Sequence, residues 1–111
     1  TAESYAVTVE AGGRRLVYSG DTTPSSQLVD VVRGADVFLC EASAPRPRPL
    51  PPEHFPHLTA IQAAEIARQA GAGRLLLTHL WHEEPPEAYE AAARPVFGAA
   101  SVVEELTTYP V

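Results

Sequence analysis

LVYSGDT, residues 16–22, is an apolar run that stops abruptly on a small residue, an aspartate and a threonine. This pattern is typical of a buried strand that carries a carboxylate to the edge of a sheet. Two later stretches look like its partners: LLLTH, residues 75–79, ends on His79, and His57 lies just before a predicted helix start. An aspartate and a histidine at the ends of separate strands, with a second histidine in a loop, fit part of a hydrolytic metal site.

The length and composition predict one small domain over residues 1–111, which would bury about two-thirds of the surface of its unfolded form. The sequence contains no methionine, so we expect it to be a processed product or a fragment of a larger domain. Its basic residues are eight arginines, opposed by fourteen carboxylates, and the pI is near 5.1. This balance disfavours binding to polyanions unless the arginines cluster.

Cysteine usage and hydropathy predict a location. Cys40 is the only cysteine, which excludes a disulfide scaffold and favours a reducing, cytoplasmic environment. No apolar stretch approaches the roughly 20 residues of a membrane span, so we expect no contact with a membrane.

Periodicity and turn residues predict alternating strands and helices. A hairpin turns at Ala11-Gly12-Gly13, and a capping box runs from Thr59 to Gln62. Six prolines between residues 44 and 56 exclude a helix or inner strand and predict a stiff surface loop. The predicted strands are 4–9, 14–18, 36–41, 74–78 and one or two within 101–109; the predicted helices are 24–33, 59–71 and 85–97.

Each candidate residue has a functional and a structural interpretation. Asp21 can bridge two cations or only cap a turn, and His79 can ligate zinc or be structural. His57 can donate a proton to a leaving group or be a surface histidine. Glu41 can accept a hydrogen bond from an imidazole or be an exposed strand end. We interpret His54 and His82, which lie in predicted loops, as surface residues.

Four segments, taken in order, resemble the C-terminal half of the metallo-β-lactamase fold, and within it the tRNase Z-like branch of metal-dependent hydrolases. Ser19-Gly20-Asp21-Thr22 is similar to the Gly-Asp-Thr segment of the family, and Leu77-Thr78-His79 to its last ligand segment. Cys40-Glu41-Ala42-Ser43 is similar to His-Glu-Ala-Thr, and His57-Leu58-Thr59 to His-Ser-Thr. The resemblance spans nearly the whole chain.

This resemblance implies a fold and a chemistry. The fold is half of an αββα sandwich, an α/β arrangement with a mixed sheet and helices on one face. Asp21 would bridge two metal ions, His79 would bind one of them, His57 would protonate the leaving oxygen, and Glu41 would orient His57. The ions would be zinc, with manganese or iron as alternatives, and a metal-bound hydroxide would cleave a phosphodiester or related ester.

The departures from the family pattern lead to further expectations. The main metal motif, His-x-His-x-Asp-His, is absent, so we expect it upstream of Thr1 and predict that this chain alone is inactive. It should then expose an apolar face that needs the missing N-terminal half or self-associates as a homodimer. Cys40 replaces a histidine, and Leu80-Trp81-His82 replaces a Phe-Ser-x-Arg-Tyr-like run. We therefore expect a small-molecule or nucleotide ester as substrate rather than tRNA.

A second hypothesis is a non-catalytic α/β signalling or binding module in which Asp21 is a receiver-like phosphoacceptor. Such modules also need an acidic pair near the start and a late lysine. This chain has no lysine, which favours the hydrolase.

Overall fold

Strands and helices alternate along the residues that the computed structural model describes, which are 6–19, 26–45, 58–78 and 85–103. This order is the one that the periodicity predicts. The elements are β1 (Val7–Ala11), β2 (Arg14–Tyr18), α1 (Ser26–Val32), β3 (Val37–Glu41), α2 (Ala60–Ala70), β4 (Leu75–Thr78), α3 (Pro86–Ala93) and β5 (Ala100–Val102).

The C-terminal ends of β1 and α3 differ from the predicted ones by two and four residues. Strand β1 extends to Ala11, which pairs directly with Arg14, because Gly12 and Gly13 both adopt positive φ angles and close the turn in two residues. Helix α3 ends at Ala93 instead of Phe97. Pro95 has no N–H with which to continue the helical hydrogen bonds, so the chain leaves the helix in turns there.

The sheet has the strand order β1-β2-β3-β4-β5, with β1 antiparallel to β2 and the other described pairs parallel. Each helical connection moves the chain by one strand in the same direction. Because such connections are almost always right-handed, successive helices are carried to the same face of the sheet. Helix α2 packs against α1 and α3, and the mixed sheet with helices on one face is confirmed.

The core lies between this layer of helices and the sheet. Val17, Phe38 and Leu75 occupy one row across three strands, and none of them is exposed to solvent. The helix residues above them are mostly alanines: Ala60, Ala63, Ala64, Ala67 and Ala70 of α2 are all buried. Small side chains let α2 lie close to both the sheet and its neighbouring helices, which fixes the start of α2 relative to the strand ends.

The N-terminus of α2 carries the predicted capping box. The backbone N–H of Gln62 donates to Oγ1 of Thr59 at 3.2 Å, and the backbone N–H of Thr59 donates to Oε1 of Gln62 at 2.9 Å. Thr59 is buried, so these two N–H groups have little access to water.

Replacing Thr59 by alanine is expected to lower the free energy of unfolding by about 1 kcal/mol, because it removes the acceptor at the helix start. Urea unfolding of the purified protein measures this. Thr59→Ser keeps the hydroxyl and should retain most of the stability; equal losses in the two variants would show that the hydroxyl is not the stabilising group.

Arg15 of β2 forms hydrogen bonds that connect the sheet to the C-terminal end of α1. Its guanidinium donates to the carbonyl oxygens of Val31 at 2.9 Å and Arg33 at 2.7 Å, while its backbone N–H donates to Oδ2 of Asp36 at 2.7 Å. A cation at the C-terminus of a helix satisfies carbonyls that have no partner within the helix and also complements the helix dipole. This contact fixes α1 on β2 at the end of the sheet opposite the strand ends described next.

The other face of the sheet carries apolar side chains and no helix among the described residues. Val7 and Val9 of β1 are 51% and 53% exposed, and Leu16 and Leu39 are partly buried. Within the described ranges, no helix is long and apolar enough to cross a membrane.

Candidate active site

Three parallel strands, β2, β3 and β4, end at the same edge of the sheet. Glu41 pairs with Thr78 in the strand register, and the N–H of Ala42 donates to the carbonyl of Thr78 at 3.0 Å. On the other side, the N–H of Ser19 donates to the carbonyl of Leu39 at 2.9 Å. The carboxyl ends of strands are where α/β proteins place their ligand sites, so this edge is the candidate active site.

Glu41 is held at this edge by two consecutive residues of β2. The hydroxyl of Tyr18 donates to the carboxylate of Glu41, and the backbone N–H of Glu41 donates to Oγ of Ser19 at 3.1 Å. Ser19 is fully buried and Glu41 is partly buried. Both the backbone and the carboxylate of Glu41 are therefore fixed, and the interpretation of Glu41 as a merely exposed strand end is disfavoured.

Cys40 lies beside Glu41 but belongs to the core under the helices. Burial raises the pKa of its thiol from 9.0 to about 12; a hydrogen bond with Ser19 lowers it in part, and the negative charge of Glu41 raises it further. The thiol also contacts the carbonyl of Glu41, with a distance of 3.5 Å from Sγ to the oxygen. Cys40 is therefore a neutral thiol near neutral pH in the folded chain.

This pKa leads to a prediction about reactivity and stability. Cys40 should resist alkylation by iodoacetamide at pH 8 in the folded protein and react only after unfolding, because the thiolate is the reactive form. Its raised pKa contributes stability below pH 9.0 that is lost progressively as the pH rises toward about 12, since the unfolded thiol ionises first. Mass spectrometry of alkylated protein with and without urea checks this; rapid labelling without urea would contradict it.

The exit of β3 is joined to the start of α2. The N–H of Ser43 donates to the carbonyl of Leu58 at 2.9 Å, and the N–H of Ala60 donates to the carbonyl of Ala44 at 2.9 Å. The hydroxyl of Tyr89, a fully buried residue of α3, donates to the carbonyl of Ser43 at 3.2 Å. The described residues that flank the proline-rich segment, Ser43 and Leu58, thus lie side by side, and Ala44 and Pro45, the first two residues of the segment, are buried.

Three of the four predicted site residues lie outside the described residues: Asp21, His57 and His79. His54 and His82 also lie outside them. The described residues end at Ser19, two positions before Asp21. They resume at Leu58, directly after His57, and end again at Thr78, directly before His79. Among the described residues, no group of three or more histidine, cysteine, aspartate or glutamate side chains could hold a metal ion.

Sequence reasoning missed Tyr18, Ser19 and Tyr89 as parts of this edge. Tyr18 pairs with Leu39 in the register, which places Tyr18 on the same face as Glu41, two residues further along β3. That pairing depends on the alignment of two strands that are about twenty residues apart, which no local pattern specifies. The sequence does offer one signal for Tyr18, which is its position at the end of the apolar run, directly before Ser19 and three residues before Asp21.

Comparison with known proteins identifies the family. A model described as a β-lactamase superfamily domain matches residues 1–80. The chain therefore belongs to the β-lactamase superfamily.

Individual relatives agree with this assignment. An uncharacterized protein of Mycobacterium leprae is 48% identical over 79 residues, which cover 70% of this chain and 27% of the relative. Ribonuclease Z of Bradyrhizobium sp. is 35% identical over 94 residues, which cover 85% of this chain and 31% of the relative. The chain thus spans about a third or less of these proteins. The resemblance to the tRNase Z-like branch is confirmed.

A solved structure shows the same fold. The metallo-β-lactamase fold protein YhfI from Bacillus subtilis superimposes with a TM-score of 0.78 at 27% identity, over 90% of this chain and 40% of that one. The strand order is further evidence against the receiver-like alternative, because doubly wound receiver-like sheets have the order 2-1-3-4-5 whereas this sheet runs in sequence order.

Proposed function

We propose that the protein carrying this chain is a metal-dependent hydrolase that cleaves phosphodiesters or related esters. The observation that carries the proposal is Glu41, a carboxylate fixed by Tyr18 and Ser19 at the carboxyl edge of three parallel strands. Membership of the β-lactamase superfamily supports the metal dependence, and the relatives named ribonuclease Z support a phosphodiester as the substrate class.

The described chain brings three segment ends to this one edge. Backbone hydrogen bonds join Ser19 to Leu39, Leu58 to Ser43, and Thr78 to Ala42. Ser19, Leu58 and Thr78 therefore all lie beside β3 or the residues that follow it. One residue of extended chain spans at most about 3.6 Å. Since Asp21, His57 and His79 are only one or two residues further along the sequence, we propose that their side chains meet above Glu41.

The proposed donor set suits zinc. Asp21 and His79 supply one carboxylate and one imidazole, both of which bind zinc, and manganese or iron would accept the same groups. Two cations, when bound, supply a water of lowered pKa and stabilise the charge on the departing oxygen. A catalytic zinc ion normally keeps three protein ligands, so the remaining ligands would come from the rest of the protein.

Two residues of the chain itself would then carry out the protonation of the leaving group. His57 would give a proton to the leaving oxygen, and the carboxylate of Glu41 would accept a hydrogen bond from the imidazole and so fix its orientation. Cys40, a protonated thiol on the other face of β3, takes no part in this exchange.

The partner of this chain would be the rest of its own domain. The apolar face that includes Val7, Val9, Leu16 and Leu39 has no covering layer among the described residues, and a second layer of the same protein would bury it. Self-association through this face is the alternative for the isolated chain. The substrate would be a small-molecule or nucleotide ester; the net charge of −6 disfavours tRNA.

Hydrolysis assays of the complete protein test this function. We expect cleavage of bis(p-nitrophenyl) phosphate and of a dinucleotide, loss of both activities after dialysis against a chelator, and recovery on adding zinc or manganese. Unchanged activity after the metal has been removed, or no cleavage of either ester by the metal-loaded protein, would overturn the proposal.

The isolated 111-residue chain is expected to be inactive. With only two of the proposed ligands, it should also bind zinc weakly. Calorimetric titration with zinc measures this, and tight stoichiometric binding to the isolated chain would contradict the expectation.

A further inference from the structure

The contact between Tyr18 and Glu41 gives the tyrosine a role that the four family segments do not include. We propose that Tyr18 is a positioning residue: its hydroxyl holds the carboxylate of Glu41 in the orientation that the proton donor of the hydrolytic reaction requires. This inference rests on the hydrolytic function proposed above.

The geometry of the sheet makes Tyr18 suitable for this role. Tyr18 pairs with Leu39, so Glu41 is the diagonal neighbour on the same face, two residues further along β3. Because neighbouring strands lie about 4.8 Å apart and two residues of a parallel strand rise about 6.6 Å, such diagonal neighbours are about 8 Å apart, a distance that only a long side chain can bridge. The phenol ring spans it and places its O–H on one carboxylate oxygen of Glu41.

The contact with Tyr18 restrains the side chain of Glu41. A glutamate has three rotatable bonds, and hydrogen bonding of its backbone N–H to Ser19 fixes only the main chain. A carboxylate has two oxygens and can accept from a phenol and an imidazole at the same time. The Tyr18 contact therefore helps to fix the orientation of the carboxylate while the carboxylate can still accept from the imidazole.

The proton of Tyr18 does not move in the reaction. When the P–O bond to the leaving group breaks, the leaving oxygen takes a proton from the imidazole. A water contributes its hydroxyl to phosphorus, and the proton left from that water replaces the one that the imidazole gave up. Tyr18 keeps its proton throughout, which distinguishes a positioning residue from a general acid.

The test compares two leaving groups in the complete, metal-loaded protein. A dinucleotide releases a sugar alkoxide that needs a proton, whereas bis(p-nitrophenyl) phosphate releases a phenolate that does not. Tyr18→Phe should lower kcat for the dinucleotide by about tenfold, since a hydrogen bond to a charged group is lost, with KM and the nitrophenyl reaction nearly unchanged. The ratio of the two rates does not depend on the fraction of folded protein, so partial unfolding cannot imitate the result.

Two further variants complete the experiment. In a Glu41→Ala background, Tyr18→Phe should have no additional effect on the dinucleotide rate, because Tyr18 acts through Glu41. Tyr89→Phe removes a hydroxyl that binds a backbone carbonyl and should show no dependence on the leaving group.

The outcomes separate the two proposals. An equal effect of Tyr18→Phe on both substrates, or additive effects with Glu41→Ala, would overturn the role of Tyr18 while the hydrolytic function stands. Failure of the wild-type protein to cleave either ester would overturn the hydrolytic function, and the role of Tyr18 with it.

Discussion

Replacing His57 by alanine in the complete protein is expected to lower kcat for a dinucleotide ester by about 10²–10⁴-fold, the usual contribution of a positioned general acid. The proposal assigns His57 the proton that the leaving sugar oxygen needs. The loss should be much smaller for bis(p-nitrophenyl) phosphate, because its leaving group departs without a proton. Steady-state kinetics with the two substrates measures both values.

The matched controls for this variant are two other histidines of the chain. His54 lies in the same proline-rich segment, three residues before His57, and His82 lies three residues after His79. We interpret both as surface residues, so His54→Ala and His82→Ala should leave both rates nearly unchanged. A loss in either control as large as that of His57→Ala would mean that the proton donor has been wrongly assigned.

Replacing Asp21 by alanine is expected to lower both the metal content and the rate of catalysis. Loss of the proposed bridging carboxylate should reduce the bound zinc from two ions to one or fewer. Because the metal ions contribute several kcal/mol of transition-state stabilisation, kcat should fall by about 10³-fold or more for both substrates. Elemental analysis of the dialysed protein measures the metal, and the two ester assays measure the rate.

Asp30 provides the control for this aspartate. Its side chain is 73% exposed and pairs with Arg33 on the surface of α1, at 3.2 Å. An exposed ion pair contributes little to stability, so Asp30→Ala should keep the wild-type metal content and rate. Full zinc occupancy in Asp21→Ala would contradict the assignment of Asp21 as a ligand.

The fold was largely predictable from the sequence because its signals are local. The apolar runs of β3 and β4 begin one residue later than predicted and end where predicted, at Glu41 and Thr78. The capping box at Thr59 is encoded within four residues, and it is present as predicted. The missed helix end at Ala93 follows from Pro95, a local signal that the apolar pattern of α3 obscured.

The candidate site was less predictable because its contacts join distant parts of the chain. Glu41 was correctly expected at a strand end, but its contact with Tyr18 arises from the register between β2 and β3. The environment of Cys40 is also a tertiary property, since alternation alone does not show that the helices cover that face. The interactions proposed for Asp21, His57 and His79 remain predictions.

The most direct test of the central claim is anomalous diffraction at the zinc edge from crystals of the complete protein. We predict two zinc peaks at the carboxyl edge of β2, β3 and β4, with Asp21 oxygen and His79 nitrogen atoms about 2.0–2.2 Å from the metal. The imidazole of His57 should hydrogen-bond to Glu41. Zinc at another place in the molecule, or at this edge without Asp21 and His79 as ligands, would contradict the account.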